Sequence, residues 1–191
     1  MASLQSAVNK LIGAQQGFLG AADAVPAADW KRPPDAHSWS AAQLVAHLCK
    51  VERGVLSYAD RVVHKTPLPV PFFKRLHLPI ALVESRLIKR KSPAPMQPGA
   101  ELLTGKETML AELRGVRERT LAFLEETHGR DCSVYCWRHP FLGTLNFYDW
   151  FTFVAAHQIR HTKQMTKSRA SMQARTPELP GNATWCSVFD D

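Results

Sequence analysis

Two histidines stand four residues apart near the end of an apolar stretch, His157 and His161 in the run His-Gln-Ile-Arg-His-Thr-Lys-Gln. On an α-helix that spacing stacks side chains on one face, with Cβ atoms about 5–6 Å apart, so both imidazoles can bite one metal ion from successive turns. The pair means little alone: eight histidines in 191 residues give about 0.3 such pairs by chance. Its surroundings add weight. Trp150 precedes His157 by seven positions and Val154 precedes it by three, so both rings continue an apolar stripe and point into a core. His47 stands three residues after Leu44 and four before Val51 on a second such stripe. Three inward imidazoles on two helices match a catalytic metal site, which needs three neutral nitrogen donors and one open position. The competing reading of each ring singly is a core histidine hydrogen-bonded to a neighbour.

Other polar residues sort around this trio. Gln164, three after His161, lies on the same face, where it hydrogen-bonds a group behind the ligands or is a plain helix-end residue. Asp149, eight before His157, is read as a helix-capping residue, and Glu52, five after His47, is rotated off the ligand face and is no catalytic base. His139, just before Pro140, either lines the mouth of the site or terminates a turn. His37, His64, His77 and His128 fall in loops or at helix ends and are read as solvated.

The elements that would position these rings follow from periodicity. Leu4, Val8, Leu11, Phe18 and Ala22 predict a helix over residues 3–24. Ser40 with Gln43 forms a capping box ahead of a helix that runs to about Val63. Thr104 with Glu107 repeats the signature for a third helix over 104–129. A fourth opens around Gly143, Asn146 and Asp149 and continues to about Lys167. No alternating strand pattern appears, so the expected class is all-α, a four-helix bundle. The first and second helices, and the third and fourth, are expected as antiparallel neighbours. The connection at 62–100 is long enough to return the third helix parallel to the second, with a short helix at about 80–90. Residues 1–170 are read as the bundle domain and 171–191 as a polar C-terminal tail.

The +7 net charge resembles a nucleic-acid signal until it is divided along the chain. Residues 62–99 hold 7 basic and 1 acidic side chains and seven prolines, whereas 100–191 hold 11 and 11. The excess therefore sits in one connection, with Lys89, Arg90 and Lys91, where it would attract an anionic small molecule. Nucleic-acid binding through Phe72, Phe73, Lys74 and Arg75 is the minor reading, and exposure of Phe72 and Phe73 would suit a homodimer. No apolar run reaches the about 20 residues of a membrane helix, and the N-terminus lacks a secretory apolar region. Four cysteines without a CxxC pair suit reduced thiols and a cytoplasmic location. The sequon Asn182-Ala183-Thr184 then carries no weight.

The segments Trp39-Ser40-Ala41-Ala42-Gln43-Leu44-Val45-Ala46-His47-Leu48, His139-Pro140-Phe141-Leu142-Gly143 and His157 to Gln164 together resemble the DinB/YfiT-like superfamily of metal-binding four-helix bundles. The order and spacing match across most of residues 1–168. The resemblance implies an up-down-down-up bundle, with His47, His157 and His161 as ligands of a divalent metal; Zn, Ni, Fe or Mn suit three imidazoles. It further implies a metal-dependent S-transferase or isomerase using a low-molecular-weight thiol such as bacillithiol, mycothiol or glutathione; hydrolysis by a metal-bound hydroxide is the neighbouring alternative, and a non-catalytic metal- or ligand-binding stress-response protein the other reading. A metal-bound thiolate is the expected nucleophile, with Lys89, Arg90 and Lys91 or Arg138 holding the carboxylates of an anionic thiol. No catalytic residue beyond the ligands and no thiol-recognition motif is legible, and the basic connection is not part of the shared pattern.

Overall fold

The computed structural model describes residues 3–67, 70, 77–85 and 104–174. Four long helices, α1 (Leu4–Asp23), α2 (Ala41–Val63), α4 (Lys106–Glu126) and α5 (Phe147–Gln173), are joined by short elements: α3 (Ala81–Glu84), 3₁₀ turns at Ala27–Asp29 and Cys132–Val134, and the strands β1 (Cys136–His139) and β2 (Gly143–Asn146). Among the described residues, no helix is long and apolar enough to cross a membrane.

Caps fix where three of the helices begin. The Ser3 hydroxyl accepts from Ser6 N at 3.3 Å at the head of α1. At α2 the capping box closes both ways: Ser40 Oγ accepts from Gln43 N at 3.2 Å and Gln43 Oε1 accepts from Ser40 N at 2.9 Å. Asn146 Oδ1 accepts from Asp149 N at 2.9 Å to open α5. The expected Thr104–Glu107 box does not form. Gly105 is the N-cap, without a side-chain bond, so Glu107 stands one position too early to reach back. Lys106 holds that end instead, donating from Nζ to the carbonyls of Asp23 and Val25, 2.9 Å each. A cation at the C-terminal end of α1 meets the negative pole of that helix.

The two ends of the core give the helix directions. At one end Ala7 and Leu11 of α1 pack with Val55, Ala59 and Val63 of α2, Leu124 of α4, and Phe147 and Phe151 of α5. At the other, Phe18 and Ala22 of α1 pack with Leu44 and Leu48 of α2, Met109 and Leu113 of α4, and Met165 of α5. Helices α1 and α5 therefore run one way and α2 and α4 the other, which is the up-down-down-up order, and the chain between Val63 and Lys106 makes the long return. The neighbour expectation is corrected. α1 packs against α5 and α4, and α2 against α4 and α5, so the pairs joined in sequence, α1–α2 and α4–α5, lie across the bundle from each other. Their links are long enough for this. Residues 24–40 include the 3₁₀ turn and Trp30, which is 2% exposed and plugs the bundle end. Residues 127–146 include the hairpin.

That hairpin is absent from the sequence reading. β1 and β2 pair antiparallel from Cys136↔Asn146 to His139↔Gly143, and Gly143, at φ 101°, makes the turn that a side chain would resist. Four residues per strand are too few to show alternation, and the strand holding Gly143 and Asn146 reads as a helix start. α5 continues to Gln173, beyond the expected end at about Lys167 and past the division placed at 171. Of the expected helix at 80–90, only Ala81–Glu84 is helical among the described residues. Phe72, Phe73, Lys89, Arg90, Lys91 and the tail after residue 174 lie outside the described residues.

One polar knot crosses the core. Arg117 of α4, 2% exposed, donates from Nε to Glu52 Oε1 at 2.7 Å and from Nη2 to Glu52 Oε2 at 2.9 Å and Gln158 Oε1 at 2.8 Å. Its Nη1 bonds the Leu11 carbonyl. All four long helices meet at this guanidinium.

Candidate metal centre

α2 and α5 bring together the three imidazoles that the sequence singles out. His157 Nε2 lies 3.3 Å from His47 Nε2 and 3.1 Å from His161 Nε2. The three ligand atoms all fall within 4.8 Å of one another, the one such group among the described residues. Tetrahedral Zn–N bonds of about 2.0–2.1 Å place neighbouring ligand nitrogens about 3.3 Å apart, and the two distances to His157 match that spacing. The donor chemistry fits too. A ring nitrogen supplies one lone pair or one N–H, so the nitrogen of His157, facing two others, can satisfy only one of them by hydrogen bonding; a shared cation would satisfy all three.

Each ring is held from behind. Gln164 Oε1 lies 3.1 Å from His161 Nδ1, where it accepts the ring N–H and leaves the Nε2 lone pair facing inward. Gln164 is thus more than a helix-end residue, and it bonds the candidate ligand itself where the sequence suggested a group behind it. The Trp39 ring packs on His47 with centroids 4.8 Å apart, and near-parallel to His161 at 6.1 Å and 21°. Phe153 stacks on His157 at 5.5 Å and 20°. Two of the rings are buried, His47 at 3% and His161 at 6% exposure, while His157 is half-buried. Desolvation, then the facing rings of His161 and His47, then Arg160 and His139, hold His157 well below the ordinary histidine range. It is a neutral donor at physiological pH.

The remaining sequence candidates fall elsewhere. His139 does not join the trio; it is the turn-terminating reading that holds. Its Nδ1 accepts from the backbone N–H of Phe141 and Leu142, 3.1 Å each, and its ring packs 4.4 Å from Phe153. Burial lowers its pKa to about 4. His37, His64 and His128 are exposed as expected. His77 is not simply solvated: its Nε2 sits 3.5 Å from Asp149 Oδ2, with its side chain 26% exposed. Asp149 thus lies in the first turn of α5, capped by Asn146, and turns its carboxylate to His77 rather than to the metal group. Glu52 is no base because it is spent on Arg117, and Arg138 is exposed on β1. Sequence reasoning assigned no role to Trp39, Arg117 or Gln158. Arg117 could have been found, since it interrupts the apolar stripe of α4 between Val116 and Thr120.

Known proteins share this frame. YuaE of Bacillus subtilis (strain 168), an uncharacterized protein, is 25% identical over 140 residues, spanning 73% of this chain and 83% of its own. The solved structure of YfiT from Bacillus subtilis, described as a probable metal-dependent hydrolase with an unusual four-helix bundle topology, superposes with a TM-score of 0.52 at 13% identity, covering 91% of this chain and 87% of that one. At that identity the likeness speaks for the fold. The sequence pattern of the DinB superfamily matches residues 10–165, from α1 through the third histidine to Met165, and the chain belongs to the DinB superfamily.

Proposed function

We propose that this protein is a metal-dependent enzyme, a hydrolase or an S-transferase using a low-molecular-weight thiol, with a divalent ion on His47, His157 and His161. The convergence of three Nε2 atoms, two pairs of them 3.1 and 3.3 Å apart and all within 4.8 Å, is the observation that carries the reading. A divalent ion held by three neutral ligands keeps its full charge and supplies Lewis-acid activation of water or a thiol. Zn or Ni suits the donors best, and Fe or Mn also fits three imidazoles. The description of YfiT as a probable metal-dependent hydrolase supports the water branch.

The chain's own residues do the rest. Gln164 fixes the His161 tautomer, so the Nε2 of that ring is not spent on a proton. Trp39 and Phe153 wall the rings with apolar surface, which strengthens charge interactions at the site. No further His, Cys, Asp or Glu joins the group among the described residues, so we assign proton transfer to substrate or solvent at the half-buried His157 edge. The free thiols of Cys49, Cys132 and Cys136 suit the reducing cytoplasm in which we place the enzyme.

The test is a turnover screen on metal-loaded protein, pairing bacillithiol, mycothiol and glutathione with electrophiles, beside a panel of esters and amides. Turnover that a chelator removes and metal restores is expected. Chelator-resistant turnover contradicts the metal reading, and no turnover from any pair favours a non-catalytic binding protein.

A further inference from the structure

Among the described residues, the ligand face of α5 is closed on one flank and exposed on the other. At 3.6 residues per turn, Val154 and Gln158 lie about 60° and 100° from His157 on one side, and Arg160 about 60° from it on the other. Val154 and Gln158 are buried in the core. Arg160 is half-buried, as His157 is, whereas His47 and His161 are buried. A molecule that reaches the three Nε2 atoms from solvent therefore passes Arg160.

The segment 77–85 lies along this same flank and fixes its charges. His77 stands against Asp149 at one end, and Ile80 and Val83 pack on the core cluster together with Ile159. The Val83 carbonyl accepts from Arg160 Nη1 at 3.1 Å, and the Glu84 carbonyl accepts from Lys163 Nζ at 3.0 Å. A carbonyl acceptor fixes a cation in place without cancelling its charge. Helical side chains lean toward the N-terminus of their helix, which carries Arg160 back over the turn of His157. Its charge is felt there: His157 is held down first by burial, then by the facing His161 and His47 rings, and next by Arg160. The three imidazoles are joined by no Asp or Glu, so Arg160 leaves the open edge of the group positive.

We propose that Arg160 is a specificity-determining residue, which selects substrates carrying a carboxylate a few bonds from the atom that meets the metal. The assignment rests on the metal-dependent reading. It moves the anion-holding role expected of Arg138 or of Lys89, Arg90 and Lys91 onto α5 itself, and gives the connection the task of holding that guanidinium beside the ligands.

The experiment loads the full chain with Co(II) and titrates it with 3-mercaptopropionate, 3-mercaptopropan-1-ol and 3-aminopropane-1-thiol, three thiols of equal reach that differ in charge. Binding is read from the thiolate-to-cobalt absorbance, in parallel on Arg160→Gln, Arg160→Lys and Arg114→Gln, with the fold of each checked by its melting curve. The parent should prefer the carboxylate over the alcohol by about tenfold and bind the amine most weakly, and the preference should shrink with added salt. Arg160→Gln, which can still donate to Val83, should erase the preference and leave the alcohol's affinity nearly unchanged. Arg160→Lys should keep part of it. Arg114→Gln removes the same charge from the exposed face of α4, across the bundle, and should leave it intact. Cobalt bound with no carboxylate preference, or with no thiol binding at all, would overturn the assignment of Arg160 alone. The same holds for a preference that survives Arg160→Gln, for an equal loss of all three thiols in that variant, or for a matching loss in Arg114→Gln. Failure of the parent to bind cobalt would overturn the metal-dependent reading, and this assignment with it.

Discussion

Arg117 Nε lies 2.7 Å from Glu52 Oε1, and both side chains are almost wholly buried, at 2% and 3% exposure. The pair is forked, with Nη2 on the second carboxylate oxygen, and the remaining donors reach Gln158 and the Leu11 carbonyl. Gln158 is the residue after His157, and Glu52 stands on α2 with His47, so the knot ties together the two helices that carry the three clustered histidines. Removing one partner strands the other charge. Arg117→Leu or Glu52→Leu alone should cost about 3–5 kcal/mol in urea unfolding, with the paired replacement costing less than the sum. Additive losses would show that the two charges act independently.

Gln164 is expected to act through His161 and not on stability. Gln164→Leu leaves the Nδ1–H without its acceptor and lets the ring take other orientations. Metal affinity, read by competition with a chromophoric chelator, should fall by about 10–100-fold, and Gln164→Glu should restore much of it because the carboxylate accepts the same hydrogen bond. Unchanged affinity in Gln164→Leu would return this residue to a plain helix-end role.

Acid should weaken the metal-free fold before any carboxylate is protonated. His157 is held well below the ordinary histidine range and His139 is lowered to about 4, both first by burial. Above the ordinary value of 6.5 the rings are neutral in both folded and unfolded chains. Below it the unfolded chain takes up protons that the folded one refuses, so stability falls as pH drops from 6.5 toward about 4 for His139. Denaturation of the apoprotein at steps between pH 7.5 and 5 should show this decline, and His139→Phe should flatten part of it. A stability that is level or rises through that interval would contradict the neutral burial of both rings.

The capping box sets the register of α2 and therefore of His47, which stands in its second turn. Ser40→Ala removes the acceptor for Gln43 N and should cost about 1 kcal/mol. Ser40→Asp keeps an acceptor and should recover most of it. Thermal melts of the three proteins check this.

Most of the site was legible because it is local. The four-residue spacing of His157 and His161 and the apolar stripe around His47 are helical properties, and the coordinates bring the three rings together as that periodicity requires. The start at Ser40 was legible from its capping box and that near Ser3 from the apolar period, whereas the last helix was read to open around Gly143 and begins after Asn146. What failed is non-local. The start of α4 is set by Lys106 reaching carbonyls more than eighty residues away, which no capping pattern encodes. Helix neighbours depended on where the 24–40 and 127–146 links cross the bundle ends, and length alone does not say whether a link joins adjacent or diagonal helices. The hairpin was missed because strands of four residues carry too little pattern, and the tie between Arg117 and Glu52 because partners 65 positions apart leave no trace in either helix's own period.

The proposed activity requires a cation where the three Nε2 atoms meet. X-ray absorption at the metal edge, on protein purified without added ions and analysed for metal content, tests this most directly. About one equivalent of a divalent metal is expected, with at least three nitrogen neighbours at about 2.0–2.1 Å if the ion is zinc, and with the metal lost from His47→Ala, His157→Ala and His161→Ala alike. Metal bound through sulfur or carboxylate oxygen alone, or a metal content unchanged in all three variants, would contradict it.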